Sequence, residues 1–105
     1  MHEITEAAKL KQIISEEEIV LVLLKSEKCS VCDAVYEQLG DFFIEGNDFK
    51  KYYVSIDKVA SVAGEYLVFT APTVLLFING KEVERQSRFI SYDKINYQIT
   101  RYTSI

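Results

Sequence analysis

Cys29 and Cys32, in the stretch EKCSVC at positions 27–32, are the only thiols in the 105-residue chain. Three chemistries are open to such a pair: a reversible disulfide, a metal clip, or no reaction at all. Two intervening residues on the first turn of a helix put both sulfurs on one side, close enough to bond without unfolding the chain. A helix start also leaves backbone N–H groups without partners, and these favour a thiolate at Cys29. Cys29 is therefore the expected nucleophile. Cys32, a turn further in and on the apolar face, is the expected resolving thiol that breaks a mixed disulfide. A tetrahedral zinc site needs three or four protein ligands, and the chain offers two cysteines and the remote His2, so no metal site is expected. Two thiolates also suit a soft ion such as Cu(I), or half of a site shared between two chains. His2 is expected to be exposed on a mobile terminus, outside any Cys–His pair.

The elements that must position these thiols follow from hydrophobic spacing. Ile4, Ala7, Ala8, Ile13 and Ile14 fall on one side of a first helix, with Lys9, Lys11 and Gln12 opposite. Ile19 to Leu24 is continuously apolar, the signature of a strand buried on both faces. It leads directly into the cysteines. Cys32, Val35, Tyr36, Leu39, Phe42 and Phe43 then recur every three or four residues, predicting a helix that runs to about Ile44. Tyr52 to Ile56 reads as a strand, and Val59, Val62, Ala63 and Tyr66 as a short helix. A turn at Val68 to Ala71 leads to Pro72, the only proline. Thr73 to Ile78 is a third apolar strand. Asn79-Gly80 supplies the positive backbone angles of a two-residue hairpin, so Lys81 to Ser87 returns antiparallel. Ser91 caps a last helix striped by Tyr92, Ile95, Ile99 and Tyr102. Crossovers early in this order require parallel pairing, and the hairpin adds an antiparallel strand. An α/β fold follows, with a four-stranded mixed β-sheet flanked by helices on both faces.

Composition narrows the function. One domain spanning residues 1–105 is expected at this length, and 49% hydrophobic residues suit a packed core. Twelve basic residues are interleaved with sixteen acidic ones, giving a net charge of −4, which disfavours a nucleic-acid partner. The N-terminus lacks a basic segment leading into an apolar one, so no secretory signal is expected. The longest apolar run has six residues, against roughly 20 for a membrane span. These readings make a cytoplasmic monomer without a membrane partner the expectation, and a cytosolic cysteine pair points to redox, catalytic or metal chemistry.

Four motifs in order carry a resemblance to the thioredoxin family, from about Ile4 to Tyr102. They are Cys29-Ser30-Val31-Cys32 after a buried strand, Ile56-Asp57 after the next, Thr70-Ala71-Pro72-Thr73, and Phe77-Ile78-Asn79-Gly80. The resemblance implies the thioredoxin fold and a thiol–disulfide oxidoreductase that exchanges protein disulfides through the Cys29/Cys32 dithiol, without a cofactor. It implies a disulfide-containing client protein and recycling by a thioredoxin reductase. It further implies a cis Ala71–Pro72 bond, with Thr70, Ala71 and Pro72 forming a strip that binds the substrate chain as an added strand. The chain departs from the family pattern at four places. Lys28 stands where an aromatic residue precedes the first cysteine, Ser30-Val31 where Gly-Pro separates the cysteines, Leu23 where a buried acid lies beneath the pair, and Arg88 where a glycine precedes the last helix. Leu23 and Lys28 also support a second reading, a redox-slow peptide-binding adaptor that keeps the groove; soft-metal binding is a third.

Overall fold

The computed structural model describes residues 1–104. Its elements are β1 (His2–Glu3), α1 (Ala7–Glu16), β2 (Ile19–Lys25), α2 (Ser30–Asp41), β3 (Lys51–Ser55), α3 (Ala60–Glu65), β4 (Thr73–Ile78), β5 (Lys81–Ser87) and α4 (Tyr92–Thr103). The sheet order is β1-β3-β2-β4-β5. β1, β3 and β2 run parallel, and β4 pairs antiparallel with both β2 and β5.

β2 from Ile19 to Leu24 and β4 from Val74 to Ile78 are continuously apolar because each strand faces two cores, one on either side of the sheet. Val20, Val22 and Leu24 of β2, with Leu75 and Phe77 of β4, pack with Leu10, Ile13 and Ile14 of α1 and Val62 of α3. Ile19, Leu21 and Leu23, with Val74, Leu76 and Ile78, pack with Val35 and Leu39 of α2 and Ile95 and Ile99 of α4. Alternate residues of an extended strand point to opposite faces, so one uninterrupted run serves both layers. The hairpin turns at Asn79 (φ 51°) and Gly80 (φ 81°), both in the left-handed region that a two-residue loop of this kind requires.

The sheet has five strands rather than four. The additional strand, β1, has two residues, His2 and Glu3, opposite Tyr52 and Tyr53. No periodicity can show in so short a segment. Ile4 is buried without being helical, since its N–H donates to the Tyr53 carbonyl at 2.9 Å before α1 begins at Ala7. The buried stripe of α1 is consequently Leu10, Ile13 and Ile14, while Ala8 is exposed. His2 is exposed, as expected, but it is held in β1 with its ring 5.8 Å from that of Tyr52. Tyr52 in turn donates its hydroxyl to both carboxylate oxygens of Glu17, and burial followed by this hydrogen bond pushes its pKa up.

α2 stops at Asp41, three residues before its apolar spacing ends. The ammonium of Lys51 donates to the carbonyls of Leu39 (2.6 Å), Gly40 (3.1 Å) and Phe42 (2.6 Å). These are acceptors that a helix end leaves unpaired, and a cation there also suits the helix dipole. Phe42 then turns extended, Phe43 is exposed, and Ile44 is buried from the following turn. Lys51→Met keeps the aliphatic stem and removes all three donors. It is expected to lower the unfolding free energy by about 2 kcal/mol, given the usual strength of hydrogen bonds from charged donors. Urea denaturation followed by circular dichroism measures this, and a loss below about 0.5 kcal/mol would mean that water replaces the ammonium without cost.

Candidate redox site

The sheet brings the site's segments to one end of its three inner strands. Leu24 pairs with Thr73 and Lys25 with Ser55, so the end of β2, the end of β3 and the start of β4 lie side by side. Past Lys25 the chain makes a tight turn through Lys28, whose φ of 55° is left-handed. Asp57 fixes that turn, because one of its carboxylate oxygens accepts the Glu27 N–H while the Ile56 N–H donates to the Lys25 carbonyl at 2.8 Å. Asp57 stood within a recognised motif, but its role depends on a contact 30 residues away in sequence.

Cys29 is the N-cap of α2, with extended backbone angles. Its Sγ accepts the Cys32 N–H at 3.1 Å, and its carbonyl accepts the Asp33 N–H at 3.1 Å. The sulfur thus occupies the place that a Ser or Asp oxygen takes at other helix starts. Cys29 and Cys32 are joined by a disulfide, with their Cα atoms 5.2 Å apart. Their surroundings differ: Cys32 is fully buried, Cys29 is half-buried, and Val31 between them is 52% exposed.

The Thr70-Ala71-Pro72 strip sits at the start of β4. The Ala71–Pro72 bond is cis, and Pro72 is buried. The Thr73 hydroxyl donates to the Thr70 carbonyl at 2.6 Å and lies 3.0 Å from the Ser87 hydroxyl. The Arg88 N–H donates to the Pro72 carbonyl at 2.8 Å. Among the described residues, neither the N–H nor the carbonyl of half-buried Ala71 has a hydrogen-bond partner. Arg88 has a φ of 68°, a conformation that explains why a glycine suits this place.

Leu23 is fully buried on the α2 side of the sheet, so a leucine side chain fills that position beneath the cysteine helix in place of a carboxylate. Lys28 and Glu27 are both exposed, and Glu27 reaches Lys58 at 3.9 Å. Tyr36 packs: its ring meets Tyr53 edge-on at 5.1 Å, with the Lys25 ammonium 5.6 Å from its centre. Among the described residues no group of three or more His, Cys, Asp or Glu side chains is placed to hold a metal, and no helix is long and apolar enough to cross a membrane.

The thioredoxin family model matches residues 1–101. This chain belongs to the thioredoxin family. A thioredoxin-like protein of Bacillus subtilis, YdfQ, is 32% identical over 92 residues, spanning 88% of this chain and 82% of that protein. The thioredoxin of Mycoplasmoides gallisepticum is 29% identical over 99 residues, covering 90% and 95% of the two chains. In three dimensions the chain is similar to Fasciola hepatica thioredoxin, with a TM-score of 0.80 and 25% identity over 96% of this chain and 98% of that one. Membership together with the bonded Cys29–Cys32 pair makes this chain a thiol–disulfide oxidoreductase of thioredoxin type.

Proposed function

We propose that this thioredoxin-family chain reduces disulfides in client proteins, acting as a monomeric single domain in the reducing cytoplasm, with no nucleic-acid or membrane partner. In this reading Cys29 attacks and Cys32 resolves. The observation that carries the assignment is the difference in exposure: Cys29 is reachable, while Cys32 is sealed and donates its N–H to the Cys29 sulfur. That donor remains when the pair is reduced and stabilises a thiolate at Cys29.

The Cys29 thiolate attacks one sulfur of the client disulfide, whose S–S bond breaks to release the other sulfur as a thiolate. A mixed disulfide now joins Cys29 to the client. Cys32, losing its proton, attacks Cys29 Sγ, and the client's second sulfur leaves and is protonated. Two electrons pass to the client, and the Cys29–Cys32 disulfide forms. An external dithiol donor, with a thioredoxin reductase as the proposed partner, returns the pair to the reduced state. Thr70, Ala71 and Pro72 bind the client segment, whose backbone bonds to the unpaired N–H and carbonyl of Ala71 as an added strand.

A redox titration in graded dithiothreitol or glutathione buffers, read by alkylation and mass spectrometry, tests this reading. A single two-electron transition between about −290 and −180 mV is expected. Leu23 and Lys28 favour one competing reading, an adaptor that binds clients through the Ala71 strip without turning over. A pair that shows no coupled transition, or that stays oxidised below about −300 mV, would decide for the adaptor.

A further inference from the structure

Two phenylalanine rings stand almost wholly in solvent beside the redox site, Phe89 at 91% and Phe69 at 86% exposure. A single exposed apolar side chain is ordinary, but these two flank the same short strip, with exposed Val31 between the cysteines at the same end of the sheet. Phe69 immediately precedes Thr70. Phe89 follows Arg88, whose N–H is bonded to the Pro72 carbonyl. The pair therefore brackets Ala71, the residue with unpaired backbone groups.

Both loops are fixed although the rings they carry have nothing to pack on. Ahead of Phe69, the Arg85 guanidinium donates to the carbonyls of Tyr66 (2.6 Å) and Leu67 (2.9 Å). Arg85 is itself held by both carboxylate oxygens of Glu82 at 2.9 Å, and the hydrogen bond from Arg85 keeps the Glu82 carboxyl below its usual range. Around Phe89, its own N–H donates to the Ser87 carbonyl at 2.8 Å, and the Gln86 side chain bonds both the N–H and the carbonyl of Ser91. A side chain presented on a fixed backbone loses little freedom when it is covered.

We propose that Phe69 and Phe89 form an apolar clamp that selects client segments carrying large apolar side chains next to the reacting cysteine. The inference rests on the client-reducing reading above and deepens it. The occupant is an extended segment of a client protein, because the clamp is continuous with the unpaired Ala71 backbone. A strand added there sends successive side chains to opposite sides, one toward each phenylalanine loop.

The test measures second-order rate constants of the reduced protein with symmetric disulfide dimers of a hexapeptide, in which the cysteine is flanked by leucine and phenylalanine or by serines. Bis(2-hydroxyethyl) disulfide is the third substrate, since it has no flank to recognise. Half-covering each ring favours the apolar peptide by about fivefold, so the wild type is expected to prefer it by more than about tenfold. Phe69→Ser and Phe89→Ser each remove part of that preference, and the double variant removes it all without changing the rate on the small disulfide. Both side chains are exposed, so the variants keep the fold, which thermal melts verify. A wild type that does not discriminate, or a preference that survives in the double variant, overturns the clamp. Failure on the small disulfide as well would instead overturn the redox reading. Sedimentation equilibrium covers the remaining occupant: a dimer that Phe89→Ser splits assigns the patch to a second copy of this chain and overturns the client assignment.

Discussion

Cys32→Ser is expected to accumulate a covalent adduct with its client through Cys29, while Cys29→Ser forms none and reduces protein disulfides no faster than the uncatalysed reaction. The reason is the division of labour set by the start of α2. Serine at position 29 cannot form a disulfide, and the buried sulfur at position 32 cannot reach a client while the helix is intact. Serine at position 32 leaves the attack intact and removes the thiol that would release the product. Non-reducing gel electrophoresis after rapid acid quenching, with mass spectrometry of the adduct, reads both outcomes. Adducts through Cys32 in the Cys29→Ser variant would reverse the roles and require that α2 open before reaction.

Leu23→Asp is expected to cost the largest share of stability of any single change near the site, and to do so in a pH-dependent way. Leu23 is fully buried, between β2 and the helices on the α2 side. An aspartate has a pKa near 3.9 in the unfolded chain and is pushed far above that when sealed from water. At pH 7 keeping it neutral costs about 4 kcal/mol, from roughly three pKa units at 1.36 kcal/mol each. The lost leucine burial adds about 2 kcal/mol at every pH. Because the folded pKa is raised, the electrostatic part is absent below the unfolded pKa and grows as pH rises past it. The deficit should therefore shrink by about 4 kcal/mol between pH 7 and pH 4, measured by urea denaturation of both proteins at each pH. Leu23→Ala is the control, with a pH-independent loss of about 2–5 kcal/mol. A pH-independent deficit in the aspartate variant would mean that water reaches the layer beneath α2.

What the sequence made legible was what local pattern controls. β2 from Ile19 to Leu24 and β4 from Val74 to Ile78 are unbroken apolar runs because they face two cores, and Asn79-Gly80 announces its turn through backbone angles that few other residue pairs adopt. The cysteine spacing carries its own geometry, so the helix-start disulfide was accessible from six residues. Long-range contacts were not. The end of α2 is decided by Lys51, which lies beyond the helix and its apolar stripe, and β1 exists only through its pairing with β3. The hydrogen bond from the Glu27 N–H to Asp57 spans 30 residues, so nothing in EKCSVC reveals what holds its turn. The cluster of Thr70, Thr73 and Ser87 likewise joins two segments that only the β4–β5 register brings together. Phe69 and Phe89 read as ordinary apolar residues until the fold leaves them uncovered.

β1 has a practical consequence out of proportion to its length. His2 and Glu3, with the Ile4 N–H, are what cover the outer side of β3. An affinity tag or carrier fused at the N-terminus that pulled these residues away would leave β3 with a row of free backbone donors and acceptors, a template for pairing with another molecule's strand. Purification handles therefore belong beyond α4, whose last turn meets the β4–β5 hairpin at the opposite end of the strand order from β1, and a preparation that clumps when tagged in front is reporting the loss of a two-residue guard.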